Sequence, residues 1–326
     1  MKNPYSYTIG YSYKEILDIA FHYAAEQSSR AVVRGSKTER AMQKEGIRIK
    51  AAAKRATELL KSSYSSFPRN VPEFYKELAD VLIGIDKLNH ALRTEKKVIE
   101  KINDLKIVAL KKLEKCNTTS ELRRVRQAFY GLVSKLLKRK SAQLLILKDA
   151  GKVLKKLPNI EEMPTIIIAG MPNVGKSSLL WRLTGSKPEI QPYPFTTKGL
   201  MIGYLESGFK RIQIFDTPGL LDRPLEKRNK IELQTIVALK RLANAIIFII
   251  DASETCGWNV ESQVSLYHEI MRLFNKKTII AINKIDVLGG REIKNFPELS
   301  NAIKISCTTG EGIEKLKDEM LKVLKI

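Results

Sequence analysis

The stretch Thr165-Ile-Ile-Ile-Ala-Gly-Met-Pro-Asn-Val-Gly-Lys-Ser-Ser178 limits the possible folds more than any other part of the chain. Four apolar or β-branched residues, Thr165 to Ile168, run into Gly170. The spacing Gly170-x-x-x-x-Gly175-Lys176-Ser177 follows, and then an apolar helical stretch from Leu179 to Leu183. Strand, glycine-rich loop and helix in that order are the setting a phosphate-binding loop requires. Pro172, Asn173, Val174, Gly175, Lys176, Ser177 and Ser178 then surround the ligand, with backbone N–H groups and the positive helix end converging on a β-phosphate. Gly175 lets the backbone come close, since a Cβ there is expected to collide with the phosphate. Lys176 places a point charge between β- and γ-phosphates, and the Ser177 hydroxyl can ligate Mg²⁺.

Downstream segments extend this site. The loop Gln191-Pro-Tyr-Pro-Phe-Thr-Thr-Lys-Gly199, with two prolines and then polar residues, reads as mobile. A threonine here can supply a second Mg²⁺ ligand and a γ-phosphate N–H, and Thr197 is taken ahead of Thr196. The strand Arg211–Asp216 ends in an acid and continues Thr217-Pro218-Gly219. Asp216 at a strand end holds Mg²⁺ through water, and Gly219 offers its N–H to the γ-phosphate. Apolar runs at Ala245–Ile250 and Thr278–Ile282 end in Asp251 and in Asn283-Lys284-Ile285-Asp286. A carboxylate at Asp286 can accept from guanine N1–H and the 2-amino group, a donor pair that adenine lacks. Asn283 ties this loop to the phosphate loop, and the Lys284 stem covers the ring. Ser306 and Cys307 open a further loop whose N–H groups meet guanine O6. Lys176, Asn173, Thr197 and Gly219 are the residues placed in hydrolysis. The expected fold is α/β: a doubly wound, mostly parallel sheet carrying a P-loop GTPase site, with GTP or GDP and Mg²⁺ at the strand ends.

Residues 11 to 157 read as helices near 12–31, 36–66, 72–84, 87–115 and 118–156. Ser36-x-x-Glu39 and Thr118-x-x-Glu121 are capping boxes, and Pro72 suits a first helical turn. Leu122, Val125, Phe129, Leu132 and Leu136 fall on one face of the last helix. The domains follow: an all-α antiparallel bundle over 1–157, a linker over 158–164 and the nucleotide domain over 165–326.

Charge separates the two halves. The chain carries a net +22, and residues 1–163 hold 34 lysines and arginines against 18 acids. The bundle therefore carries most of the excess, with Arg123, Arg124, Arg126, Lys135, Lys138, Arg139 and Lys140 crowded on one helix. That imbalance favours an RNA-contacting surface. Tyr5, Tyr7, Tyr11 and Tyr13 can stack on bases, although packing against the bundle suits them better. Cys116, Cys256 and Cys307 are widely spaced, which fits a reducing compartment and excludes a disulfide framework or a zinc site. His22, His90 and His268 are isolated. Met1 to Gly10 has no apolar core of a signal peptide, and no apolar run reaches about 18 residues, so the reading is cytoplasmic with no membrane partner.

Taken together, the phosphate loop, Asp-Thr-Pro-Gly, Asn-Lys-Ile-Asp and Ser-Cys-x-x-Gly-Glu-Gly resemble the Obg-like GTPases. The segment Asp216–Glu232, the loop Asp251–Gly257 and the bundle sequence Pro72–Leu78 narrow this to the Nog group of nucleolar GTP-binding proteins. The resemblance implies a slow GTPase switch that assembles the large ribosomal subunit, with ribosomal RNA and the subunit precursor as partners and a monomer when free. Eukaryotic members carry a C-terminal extension beyond the point of Ile326, so the chain looks like a short, archaeal-type version. Two departures from the Ras pattern bear on chemistry. Leu220 stands where Ras-type proteins place a water-orienting glutamine. Asn173 matches an asparagine that in potassium-dependent relatives helps hold K⁺ beside the phosphates, though loop geometry explains it equally well. Competing readings are a GTPase accessory to RNA modification, which needs a cysteine or methyl-donor motif, and a membrane-surface GTPase, which needs an exposed amphipathic helix.

Overall fold

The computed structural model describes residues 2–194, 196, 199–208, 210–223, 228, 230–288 and 296–326, apart from the side chains of 230 and 231. Two compact units emerge. Pro4–Val71 and Leu82–Lys155 form one; Pro72–Val81 and Lys156–Ile326, with Asn3, form the other.

The first unit is the helical one. It contains α1 (Tyr13–Arg30), α2 (Lys37–Ser66), α4 (Ile85–Leu113), α5 (Thr119–Arg139) and α6 (Ser141–Leu154); α3 (Glu73–Leu82) lies almost wholly in the other. Both predicted capping boxes are present, and Ser12 with Glu15 forms a third at the start of α1. Alanines make the α1–α2 contact: Ala20 and Ala24 on α1, Ala52, Ala53 and Ala56 on α2 are all buried. Small side chains let the two helices approach closely. An ion pair ties α2 to α5, with Arg126 Nε donating to Glu45 Oε2 at 2.6 Å. Arg126 also lies over the Tyr130 ring, which stacks on Phe21 of α1 at 4.0 Å.

Two expectations change here. The buried face of α5 is Leu122, Phe129, Val133 and Leu137, while Leu132 is 51% exposed. The apolar stripe is thus rotated from the predicted one, because Val133 and Leu137 continue the 3.6-residue period from Phe129 toward the core. The single helix expected over 118–156 is broken at Lys140, whose φ of −105° and ψ of 14° leave the helical region. No proline or glycine marks the break. The turn sets α6 against α4 and against the N-terminal segment, which comes so near that a Cβ on Gly10 would lie 2.4 Å from the Lys148 nitrogen.

Glu95 of α4 is buried in this unit, and its Oε2 has no hydrogen-bond partner. Burial pushes its carboxyl up to about 8 from an ordinary 4.5. The folded chain therefore keeps a proton that the unfolded chain releases above about pH 4.5, and stability falls as pH rises from there toward 8. Glu95→Gln removes this loss. It should exceed the wild type at pH 8 by on the order of 4 kcal/mol and match it near pH 4. Melting curves of both proteins across that range test this; a constant difference between them at every pH would rule it out.

The second unit is a seven-stranded sheet in the order β2-β3-β4-β1-β5-β6-β7. Its strands are β1 (Thr165–Ala169), β2 (Glu189–Gln191), β3 (Leu200–Ser207), β4 (Lys210–Asp216), β5 (Ala245–Asp251), β6 (Lys277–Asn283) and β7 (Ile303–Lys304). Pairings from β4 onward are parallel, and β2–β3 and β3–β4 are antiparallel. The helices are α7 (Lys176–Thr184), α8 (Lys230–Leu242), α9 (Val260–Phe274) and α10 (Ile313–Leu324). This is the doubly wound, mostly parallel sheet the sequence predicts. β1 and β5 are buried along their whole length, as continuous apolar runs flanked on both faces must be. β1 pairs with β4 on one side and β5 on the other, so the crossover direction reverses at its carboxyl end and opens a crevice there.

The helix α3, expected within the bundle, packs in this unit. Phe74, Tyr75, Leu78 and Ala79 are buried, and the Tyr75 hydroxyl donates to Pro158 O at 2.8 Å and accepts from the Ile160 N–H. Phe74 stacks on Tyr193, with ring centroids 6.4 Å apart, and Arg241 of α8 pairs with Glu77 at 2.8 Å. The stretch 158–164, expected as a linker, is part of the same packing: Ile160 is fully buried, and Asn159 N–H donates to Gln191 Oε1. Among the described residues no helix is long and apolar enough to cross a membrane.

Candidate functional site

Register brings the chemistry together. Ile168 of β1 pairs with Asp216 of β4, and Asp251 of β5 pairs with Asn283 of β6, so the four strands end at one edge. The loop after β1 turns through Asn173, in the left-handed region at φ 62°, and Gly175, at φ 106°. Asparagine tolerates that region better than most non-glycine residues, and its side chain is exposed on the cavity.

Lys176 is nearly enclosed. Its ammonium donates to Gly170 O at 2.8 Å and Met171 O at 2.7 Å, curling back over the loop. Burial lowers its pKa, and the carboxylates of Asp216 and Asp222 work against that. The Ser177 hydroxyl donates to Asp216 Oδ2 at 2.6 Å. Asp216 is fully buried, and burial raises its pKa. Its Oδ1 has no hydrogen-bond partner. A desolvated carboxylate with one orphan oxygen beside a hydroxyl suits a hard cation that brings further oxygen ligands of its own. Among the described residues no group of three or more His, Cys, Asp or Glu is placed to hold a metal ion. Pro172, Asn173, Ser178 and Pro218 join these residues around a cavity of about 370 Å³.

Val174 is core; its carbonyl accepts from Asn283 Nδ2 at 2.8 Å. Asn283 Oδ1 in turn accepts from the Cys307 N–H at 3.0 Å. One buried amide thus joins the phosphate loop, its own loop and the Ser306–Cys307 loop, which extends the tie expected of it. This also changes the account of Gly175: a Cβ there would lie 2.2 Å from Asn283 Nδ2. The bare α-carbon makes room for the amide that joins the loops.

Lys284 is held by its head. Its ammonium donates to Asp251 Oδ2 at 2.7 Å and to the Thr255 hydroxyl at 3.0 Å. Asp251 is buried, which pushes its carboxyl up. The Lys284 ammonium, the Ser253 and Thr255 hydroxyls and nearby backbone N–H groups outweigh that and hold it below the usual range. The sequence marked Asp251 as a strand end and as the start of the loop Asp251–Gly257, without its pairing to Lys284; an acid closing a buried apolar run was the available signal. Asp286 is exposed beyond β6. In the next loop the Ser306 N–H donates to Glu311 O, and the Cys307 N–H is taken by Asn283, so neither is free for a base. Arg182 of α7, not anticipated from sequence, fixes this loop by donating to Cys307 O at 2.7 Å and Thr308 O at 2.5 Å.

Thr197 lies outside the described residues. Thr196 is half-buried, its hydroxyl donating to the nearby Tyr193 O at 2.9 Å. Leu220 is fully buried and faces the core, so it cannot act on water in the cavity. Gly219 donates its N–H to Asp222 Oδ2 at 2.8 Å. Burial raises the thiol pKa of Cys307 to about 11 and raises that of Cys256, so neither is an activated nucleophile. The arrangement can seat phosphates at the Lys176 end and offer Asp286 as an acceptor pair to a base at the other.

Two family models match the chain, the NOG1 N-terminal helical domain over residues 8–161 and nucleolar GTP-binding protein 1 over residues 230–286. An uncharacterized protein of Methanocaldococcus jannaschii is 45% identical over 226 residues, 69% of this chain and 63% of that protein. Nucleolar GTP-binding protein 1 of Drosophila melanogaster is 34% identical over 294 residues, 89% of this chain and 45% of its own. The solved structure of a nucleolar GTP-binding protein 1 from Plasmodium falciparum matches with 37% identity and a TM-score of 0.46, over 52% of this chain and 90% of that one. The chain spans less than two thirds of the length of these curated relatives.

Proposed function

The chain belongs to the family of nucleolar GTP-binding protein 1, and on that premise we propose that it is a GTP-binding, slowly GTP-hydrolysing switch that acts on RNA in assembly of the large ribosomal subunit. The observation that carries the nucleotide reading is the Asn283 amide, which joins the phosphate loop at Val174 to the loop of Cys307, with Asp286 on the same turn. It sets a phosphate-seating loop and a guanine-accepting carboxylate in one rigid frame. Ser177 and Asp216 would hold Mg²⁺, which neutralises phosphate charge when bound. Lys176, already desolvated, adds a fixed cation on the phosphate side. Leu220 is buried and apolar, so nothing at that position aligns water, which supports a low intrinsic rate.

Asn173, exposed on the cavity, is the residue through which K⁺ would raise that rate. GTP turnover measured at matched ionic strength should then be about tenfold faster in KCl than in NaCl, and Asn173→Ala should abolish the difference. Equal wild-type rates in the two salts would remove K⁺ from the proposal. Failure to bind GTP in preference to ATP would remove the nucleotide reading itself.

The RNA surface is assigned to the helical unit, where Arg123, Arg124, Lys135, Lys138 and Arg139 are exposed on α5. Arg126 is committed to Glu45 and drops out of that set. Of the four tyrosines, Tyr5 is buried, Tyr11 and Tyr13 pack on the bundle core, and Tyr7 is 80% exposed. Affinity of the whole chain for ribosomal RNA should fall steeply with salt. Replacing Arg123, Arg124, Lys135 and Lys138 by glutamate should lower the slope of log affinity against log salt by about 0.7–0.9 per lost phosphate contact. An unchanged slope would place the RNA surface elsewhere.

A further inference from the structure

A second charged centre borders the same cavity and has no part in the chemistry above. Asp222 lines the cavity beside Lys176 and Ser177. One of its oxygens, Oδ2, accepts the Gly219 N–H at 2.8 Å, and the other lies 3.4 Å from Arg228 Nη2. Arg228 reaches back to Gly219 as well, donating from Nη1 to its carbonyl at 2.8 Å. The guanidinium is fully buried, and its Nε has no acceptor. Gly219 is therefore held on both sides, by an anion on its N–H and by a cation on its C=O.

The Asp216-x-x-Gly219 pattern reserves that N–H for a γ-phosphate, an anion presenting oxygens to a backbone donor in the field of Lys176. Asp222 meets the same description: it is an anion, on the same donor, at the same cavity wall, within the field of the same lysine. One N–H cannot serve both at full strength, and two anions brought together in a partly desolvated cavity repel. A diphosphate makes no demand on Gly219 and leaves the contact in place.

We propose that Asp222 is a built-in surrogate for the γ-phosphate, which holds Gly219 and Arg228 in the diphosphate arrangement and must be displaced when a triphosphate enters. This rests on the guanine-nucleotide reading. Asp222 then sets the discrimination between GTP and GDP. Displacing it deprives Arg228 of its carboxylate and leaves a buried cation next to the incoming phosphate charge. The cost of displacing the Asp222 carboxylate from Gly219 falls on the triphosphate alone.

The test is titration calorimetry of the full chain with GDP and with guanosine 5′-(β,γ-imido)triphosphate, at fixed Mg²⁺ and ionic strength. Asp222→Ala should bind the triphosphate analogue about tenfold more tightly or better, with GDP affinity little changed, because a charged hydrogen bond no longer competes. Asp222→Asn, nearly isosteric, keeps an acceptor for Gly219 without the charge and should fall between the two, which carries the test if the alanine variant folds poorly. A ratio of the two affinities equal to the wild-type value in both variants would overturn the proposal, as would equal weakening of both nucleotides, the mark of a purely structural role. A wild-type chain that binds neither nucleotide would overturn the nucleotide reading together with the proposal.

Discussion

Asp286→Asn should lose GTP and gain xanthosine triphosphate. The carboxylate is exposed on the turn after β6, on the loop that Asn283 ties to the phosphate loop. Two acceptor oxygens match the N1–H and 2-amino donors of guanine. An asparagine offers one acceptor and one donor, which matches the N1–H and the 2-carbonyl of xanthine. A hydrogen bond to a charged group contributes about 1.5–3 kcal/mol, so losing the pair should weaken GTP by roughly two orders of magnitude. Fold and phosphate contacts should be little changed, since Asp286 is exposed. Competition between GTP and xanthosine triphosphate for wild type and variant is the measurement. An unaltered preference for GTP would mean that another group reads the base.

Gly175→Ala should be more damaging than a single methyl group suggests. The new Cβ would lie 2.2 Å from Asn283 Nδ2, at a φ of 106° that L-residues rarely adopt. Left-handed strain costs of order 1–3 kcal/mol, and the displaced amide gives up bonds to Val174 O and Cys307 N–H worth a further 1–3 kcal/mol. Nucleotide affinity should drop by about three orders of magnitude while far-ultraviolet circular dichroism shows the helices intact. The cause can be separated by a double-mutant cycle. Asn283→Ala removes the collision partner, so adding Gly175→Ala to it should cost only the backbone strain, well short of additivity. Additive losses would show that Gly175 acts through the phosphate alone, as the sequence by itself suggests.

Much of the candidate site's geometry was readable because its signals are local. Gly170, Gly175, Lys176 and Ser177 sit within eight residues, Asp251 and Asn283 each close an apolar run of strand length, and Asp216 closes an alternating strand. The capping boxes at Ser36 and Thr118 are four-residue signals of the same kind. Reading failed where a partner lies far away along the chain. Arg126 looked like one of a row of surface cations, yet its carboxylate is 81 residues distant at Glu45. The basic helix looked continuous through Lys140 because the contacts that turn it, at Gly10 and on α4, are long-range.

The strand, loop and helix around Gly170–Ser177, the strands that end at Asp216, Asp251 and Asn283, and the sign of the charge on each half were determined by the sequence alone, whereas β2, β3 and the break at Lys140 were not. Periodicity, caps and turn residues act over a few positions and need no partner. Which unit claims α3, which anion holds Gly219 and what the bare α-carbon of Gly175 makes room for were decided only in the tertiary structure. Tyr75 finds Pro158, Asp222 finds Gly219 with Arg228 behind it, and Asn283 reaches Val174 across 109 residues. Burial leaves each of these polar groups to find its partner inside the protein, and the fold, more than its neighbours in the chain, determines which partner is within reach.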